Sequence, residues 1–442
     1  MRKTRDRLTI RHSLGIAVTI LFATLVVYFY APDFLELYEM RLVDQRLLLR
    51  GPRSPVAPVR LVLIDDASRV RYGMDDRMRT ELAGVIRQLC DQGARAIGLD
   101  IYFSPDSTGG DGSRALLADA IRACGHVVVG FNWRIDFRDS RLALGESIGR
   151  RRLLDATRDP ESQAFMAEDL PALAVSPDLE ILRAASALGF FSVVTDPDGH
   201  PRKVPAAMWH ESAYWFPFSL AVVRTFLDSN TLVLRSEGGP WYSGPYLGGQ
   251  PLHPDPTGYL WLAQYGPLGV FESVNFSDIV ARGLPENFAR DAAVLVGVSG
   301  RSSNDVFRTM YDPYLPGVAL HATAVANALE NSFLWRDEFV RAFEVAVMVA
   351  IALILALCVP HLPPVTTVMV GPALALGVIA GAHVMLARWS VWIHLIYPLG
   401  VLAIIHLGLV AERIRLGERC VREQKEKTAA LERERSPSPR PQ

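Results

Sequence analysis

The sequence predicts an exported α/β domain with a mainly parallel sheet flanked by helices, joined to α-helical transmembrane segments, one N-terminal and three C-terminal. Three observations carry this. Short continuous apolar runs at 59–64, 96–99, 127–129 and 293–298 alternate with amphipathic helical patterns, as strands buried on both faces of a parallel sheet do. Uncharged stretches of membrane-spanning length stand near both ends of the chain, with none comparable between them. The net charge of −1 hides an acidic middle between two basic ends.

The elements follow in order. Residues 1–12 hold Arg2, Lys3, Arg5, Arg7 and Arg11 against Asp6, a net +4. Residues 13–32 are uncharged and include Tyr28, Phe29 and Tyr30, aromatics suited to an interfacial belt. With no small-residue cleavage site, this stretch reads as a retained membrane helix and not as a signal peptide. After Arg341 come three more apolar runs: 342–360, with Glu344 near its start; 364–387, after a Pro-Pro turn; and 390–411, beyond Arg388. Four crossings place both basic ends, 1–12 and the +3 tail 412–442, in the cytoplasm, as the positive-inside rule prefers. The segment 33–341 is then extracytoplasmic. His383, His394 and His406 fall in the bundle; such groups are functional candidates, with interhelical hydrogen bonding the plainer reading.

Inside 33–341, the run 59–64 leads to Asp65, Asp66 and Ser68, all cap or turn residues. Leu82, Val85, Ile86 and Leu89 have helical spacing, which Gly93 ends. The strand 96–99 is followed by Asp100; Leu116, Leu117, Ala120 and Ile121 mark the next helix, and 127–129 the third strand. Residues 134–172 read as loops with short helices. Ser176, Pro177 and Asp178 form a helix-start pattern for a helix running to Leu188. A strand at 190–194, a turn at 195–199, a helix at 215–227, a Gly/Pro-rich loop at 236–258 and a strand at 259–264 follow. The run 293–298 lies far along the chain, so a long excursion is expected to return to the same sheet.

Composition excludes the extreme classes. Hydrophobic residues at 50% and charged residues at 21% do not fit a disordered tail, a disulfide-dense miniprotein or a fibrous repeat. Basic residues do not interleave with aromatics, so no nucleic-acid partner is expected. Of the four cysteines, Cys90 and Cys124 lie in the exported segment, each at the end of a helical pattern shortly before a Gly. They are the disulfide candidates, with two buried free thiols as the alternative. No zinc-type Cys or His spacing, nucleophile elbow, His-Glu-x-x-His or P-loop is present.

Several stretches together resemble the CHASE2 family of bacterial extracytoplasmic sensor domains. Asp44-Gln-Arg46 with Arg50-Gly51 is similar to the family's opening, and Leu63-Ile-Asp-Asp-Ala-Ser68 to its first strand. The stretch GARAIGLDIYF at 93–103, Leu188-Gly-Phe190, and Asp196-Pro-Asp-Gly-His-Pro-Arg202 resemble its middle motifs. Val294-Leu-Val-Gly297, Asp305 and Pro316-Gly-Val-Ala-Leu-His-Ala322 resemble its closing ones. The resemblance spans residues 37–333 and implies a sensor domain followed by three membrane helices, in a bacterial inner membrane. It also fits a homodimer, since relatives ending in cyclases need paired chains. The sequence departs from the family where Asp75, Asp76 and Arg77 stand in place of a Trp-Pro-Trp core, between Gly73 and Arg79. Relatives often continue into a cyclase or kinase; here a charged helical stretch and a Ser/Pro-rich end follow the last apolar run.

The candidate ligand residues are Asp65, Asp66, Asp100, Arg79, Asp196, Asp198, Arg202, Asp305 and His321. Asp65, Asp66 and Asp100 follow strands, where ligands bind in open α/β sheets; they could hold a divalent cation or a cationic ligand, or simply cap helices. Asp196 and Asp198 read more readily as a turn, Arg79 and Arg202 as ion-pair partners, and His321 as a packing histidine or a pH-sensitive group. No catalytic residue and no cofactor are assigned. The expected function is a membrane sensor that binds an unknown extracytoplasmic ligand or partner and signals to a separate cytoplasmic effector. The alternatives are an envelope scaffolding module and a metal-dependent hydrolase.

Overall fold

A computed structural model describes residues 9–73, 76–103, 111–131, 133–134, 173–174, 178–191, 193–210, 213–228, 232–233, 246–300 and 305–435. The chain divides into two units, residues 44–337 with 389–391 forming one, and the two ends of the chain with the remaining C-terminal helices forming the other.

The 44–337 unit is built on six parallel strands. β1 (Val59–Ile64), β2 (Ala96–Asp100), β3 (Val127–Phe131), β4 (Ala187–Phe190), β5 (Glu272–Asn275) and β6 (Ala293–Val298) lie in the order β5-β1-β6-β2-β3-β4. The late strand β6 therefore returns between β1 and β2, as its apolar run predicts. Alternate residues point to opposite faces, and each face buries its own helices. Leu61, Leu63, Val128 and Leu295 pack under α7 (Phe218–Phe226) and α9 (Gly317–Leu329). Val62, Ile64, Ile97, Leu99, Val129, Val294 and Val296 pack under α4 (Asp76–Asp91), α5 (Asp111–Cys124), α6 (Leu179–Ala184) and α8 (Phe276–Arg282). The short α3 (Asp66–Tyr72) follows β1 directly.

Glycine sets how near α7 comes to the sheet. A Cβ on Gly98 of β2 would stand 2.8 Å from the Phe218 ring, and one on Gly189 of β4 would stand 2.5 Å from the Phe218 Cα. A side chain at Gly189 would displace backbone, so this position admits glycine alone without repacking.

Some boundaries differ from the sequence reading. The strand expected at 190–194 runs over Ala187–Phe190, and the helix before it stops at Ala184 with Asp178 as its cap, accepting the Glu180 N–H at 3.2 Å. The helix expected from 215 begins at Phe218, because Trp215 belongs to a short hairpin strand, Ala213–Trp215. Residues 135–172, read as loops, lie outside the described residues, as do Asp75 and Ser176.

The other unit is helical. It contains α1 (Ile10–Tyr30), the first part of α2 (Asp33–Arg50), α10 (Glu338–Cys358), α11 (Pro364–Trp389) and α12 (Ile396–Arg435). Its core joins Ala17 and Tyr28 to Met348, Ile351 and Leu355, and to Val401, Ile405 and Leu409. Large apolar side chains such as Phe22, Val26, Leu353, Met369 and Leu376 are exposed on its outside. Among the described residues, three helices are long and apolar enough to cross a membrane: Ile10–Tyr30, Glu338–His361 and Pro364–Trp389. The sequence places a fourth span at 390–411; in the structure residues 390–395 precede a single helix that continues from Ile396 through the charged stretch.

Candidate functional site

Side chains that follow parallel strands gather at the sheet's carboxyl edge, where open α/β sheets bind ligands. β1, β6 and β2 end there side by side, with Ile64 opposite Val298 and Asp100 opposite Gly297.

Asp65 is committed to local structure. Its Oδ1 accepts the Ser68 backbone N–H at 2.8 Å and the Ser68 hydroxyl at 2.5 Å, which caps α3. The Ser68 oxygen accepts the Ser277 N–H at 3.2 Å, tying α3 to α8. Asp66 is half exposed, lies 3.8 Å from Arg69, and presses its carboxylate on the Gly300 backbone, where a Cβ would collide.

Asp100 is different. It ends β2 with 8% of its surface exposed, and its Oδ2 has no hydrogen-bond partner among the described residues. A Cβ on Gly297 would stand 3.2 Å from the Asp100 Cβ, so glycine at that position leaves room for the acid. Asp305 brings a second carboxylate, seated against Gly317 at the start of α9, and its carbonyl accepts the Gly317 N–H at 3.1 Å. Burial, reinforced by the Asp305 charge, pushes Asp100 well above the usual carboxylate range; burial raises Asp305 as well. A buried acid beside a half-buried one, both with raised affinity for protons, favours a cation or a hydrogen-bond donor between them.

His321 lies one turn into α9, edge-on to Phe218 with ring centroids 5.2 Å apart and tilted against Phe191 at 6.0 Å. Its Nδ1 has no hydrogen-bond partner among the described residues, and burial lowers its pKa to about 4, so the ring is neutral at neutral pH. Arg79 is buried on α4, with Nη1 3.7 Å from Asp76, which also accepts the Ser113 hydroxyl from α5.

Asp196, Asp198 and Arg202 are brought together as a cluster of their own. The Arg202 guanidinium donates to Asp196 at 3.0 Å, to both oxygens of Asp198 at 2.8 Å, and to both oxygens of Asp44 at 3.1 and 2.6 Å. His200 Nδ1 lies 3.0 Å from it, and Lys203 Nζ lies 3.6 Å from Asp196. The Arg202 hydrogen bonds hold Asp198 down to about 2. Asp44 comes from α2, so this clamp fixes that helix to the loop at 196–202.

Asp65, Asp66 and Asp100 do not form a close donor set among the described residues. Asp65 turns into its own cap, and Asp66 lies against Gly300 and Arg69. A set of that kind does form from Cys90, Cys124 and His126. The two sulfurs are joined, with Cα atoms 5.9 Å apart, at the opposite, amino edge of the sheet from Asp100.

Sequence reasoning missed the acids of the helical unit. Glu39 on α2 is fully buried, and its Oε2 accepts the backbone N–H groups of Leu395 at 2.8 Å and Ile396 at 3.1 Å, the start of α12. Glu344 on α10, also fully buried, accepts the Tyr28 hydroxyl at 2.6 Å and the His394 N–H at 2.7 Å. His394 Nε2 lies 3.7 Å from Glu36, and its ring stacks on Tyr397. Carboxylates at a helix N-terminus satisfy orphan N–H groups and complement the helix dipole. The available signal was an isolated acid in an apolar context, as at Glu344.

A parallel-sheet domain bounded in sequence by membrane-length apolar helices, with buried acids at its carboxyl edge, has the build of an anchored extracellular sensor. The family model of the CHASE2 domain matches residues 18–359, and the chain belongs to that family of extracellular sensor domains. No curated protein and no solved structure matches the chain.

Proposed function

We propose that this chain is a multi-pass inner-membrane sensor whose extracytoplasmic domain takes up a cationic or hydrogen-bond-donating ligand between Asp100 and Asp305. The observation that carries the reading is Asp100: a buried acid at a strand's carboxyl end, with one oxygen unpartnered among the described residues. A buried polar atom without a partner costs about 1–3 kcal/mol, which a matched ligand would recover. The fourth crossing at 390–411 returns the chain to the cytoplasm, where the tail engages a separate effector, in a homodimer.

Helix α2 supports a route for the change. It carries Asp44, gripped by Arg202, and Glu39, which caps α12. Five residues apart, the two point about 140° from each other around the helix. A ligand that favours one of two positions of α2 would bias the start of α12.

The test fuses a dimerisation-dependent cyclase after Glu434 of the full chain. Asp100→Asn and Asp100→Ala are expected to lock the output at a level different from wild type. Identical output from wild type and both variants, with folded protein at equal abundance, would overturn the reading.

A further inference from the structure

A disulfide needs no imidazole beside it, yet one is placed with care here. His126 Nε2 stands 3.5 Å from the Cys90 sulfur and 3.5 Å from the Cys124 sulfur. All three side chains are part-buried against the core under α4 and α5. Each comes from a rigid position: Cys90 from the last turn of α4, Cys124 from the last residue of α5, and His126 from the residue before β3. The His126 ring is also bonded to the backbone of Ala94, the kind of outer contact that orients a ligating imidazole.

The distances suit coordination. Bond lengths of about 2.3 Å to sulfur and 2.0–2.1 Å to nitrogen at tetrahedral angles put the donors of a zinc site about 3.5 Å apart, sulfur to nitrogen. That is the separation His126 keeps from both sulfurs. The cysteine Cα atoms, 5.9 Å apart, leave the side chains free to open to sulfur–sulfur contact distance by χ1 rotation alone. Two thiolates and an imidazole select soft d10 ions. Among the described residues the donor set stops at three, which suits trigonal Cu⁺, or Zn²⁺ with one position left for water or another ligand.

We propose that Cys90, Cys124 and His126, in the dithiol form, make a binding site for a soft d10 metal ion, Zn²⁺ or Cu⁺. Binding forms two metal–sulfur bonds and one metal–nitrogen bond and releases the two thiol protons to solvent. The disulfide is the alternative state of the same side chains and holds no metal, since its sulfurs carry no thiolate charge. The site lies at the other edge of the sheet from Asp100 and stands or falls independently of the sensor reading.

The experiment uses the detergent-solubilised full chain, reduced with a phosphine and kept anaerobic. Zn²⁺ and Cu⁺ are titrated separately against chromophoric chelators, and Co²⁺ serves as a spectroscopic stand-in for Zn²⁺. The expected result is one equivalent of metal per chain, a thiolate-to-cobalt charge-transfer band, and no binding after oxidation to the disulfide. His126→Ala should weaken binding more than about tenfold, and Cys90→Ser with Cys124→Ser should abolish it, at unchanged helical content. The arm with the tighter stoichiometric binding names the ion. Reduced wild-type protein that binds no more metal than the double serine variant would overturn the proposal. So would wild-type affinity in His126→Ala, because the imidazole would then be a bystander.

Discussion

Two groups of acids in the same domain show how neighbours decide what a carboxylate does. At the loop 196–202, Asp44, Asp196 and Asp198 surround Arg202, and every hydrogen bond from its fork is answered. At the carboxyl edge, Asp100 is buried beside the half-buried Asp305, and one Asp100 oxygen has no partner among the described residues. Hydrogen bonds from Arg202 hold Asp198 below the usual carboxylate range, whereas burial raises Asp100 and Asp305 above it. The first group is a fastening, and the second is the proposed ligand site.

The contrast can be broken most forcefully at the clamp. Arg202→Met removes the cation shared by Asp44, Asp196 and Asp198 and is expected to cost about 3–5 kcal/mol in denaturant unfolding of the full chain. A loss below about 1 kcal/mol would mean that water already serves those acids.

The pH dependence separates the two groups next. Asp198, lowered to about 2 by its hydrogen bonds from Arg202, contributes stability above the ordinary carboxylate pKa, and that share is lost as pH falls through about 2. Asp100 is raised, so its share is present below the ordinary carboxylate pKa and lost as pH rises through the folded value. His321, lowered to about 4, resists protonation in the fold, and stability falls as pH drops from about 6.5 toward 4. His321→Phe, which fills the aromatic pocket beside Phe218, is expected to remove about 2 kcal/mol of that acid-side loss in thermal unfolding at pH 7 and pH 4. An unchanged acid limb would mean the ring finds a partner for its proton.

Asp100→Asn is expected to stabilise the unliganded protein at pH 7 by about 1 kcal/mol and to flatten the slope above the ordinary carboxylate pKa. Destabilisation would show that the carboxylate already has its counterion. The smallest effect belongs to Asp66→Ala, within about 0.5 kcal/mol, because an exposed pair at 3.8 Å from Arg69 contributes little.

Much of the fold was legible because its strands are buried on both faces. The runs at 59–64, 96–99, 127–129 and 293–298 stand out as strands and appear as β1, β2, β3 and β6. β5 escaped notice because Glu272–Asn275 sits at the sheet edge with little to bury. Trp215 misled because aromatics serve strands and helices equally, and here a hairpin claims it. At the sites, Asp100 and Arg202 were legible as residues, but their opposite fates were not. The clamp needs Asp44, 158 positions away, and the edge needs Asp305 and the bare Gly297 backbone. The Cys90–Cys124–His126 set was hidden in the same way, since spacing rules look along the chain and these donors meet only where α4 and α5 end together.

The central claim is that the state of Asp100 reaches α2. Hydrogen–deuterium exchange of the full chain, wild type against Asp100→Asn at pH 7, measures it directly. The account predicts altered protection across α2, Asp33–Arg50, and at the start of α12, beside the expected change at β2 and β6. Altered exchange confined to the ends of β2 and β6, with α2 unmoved, would contradict it.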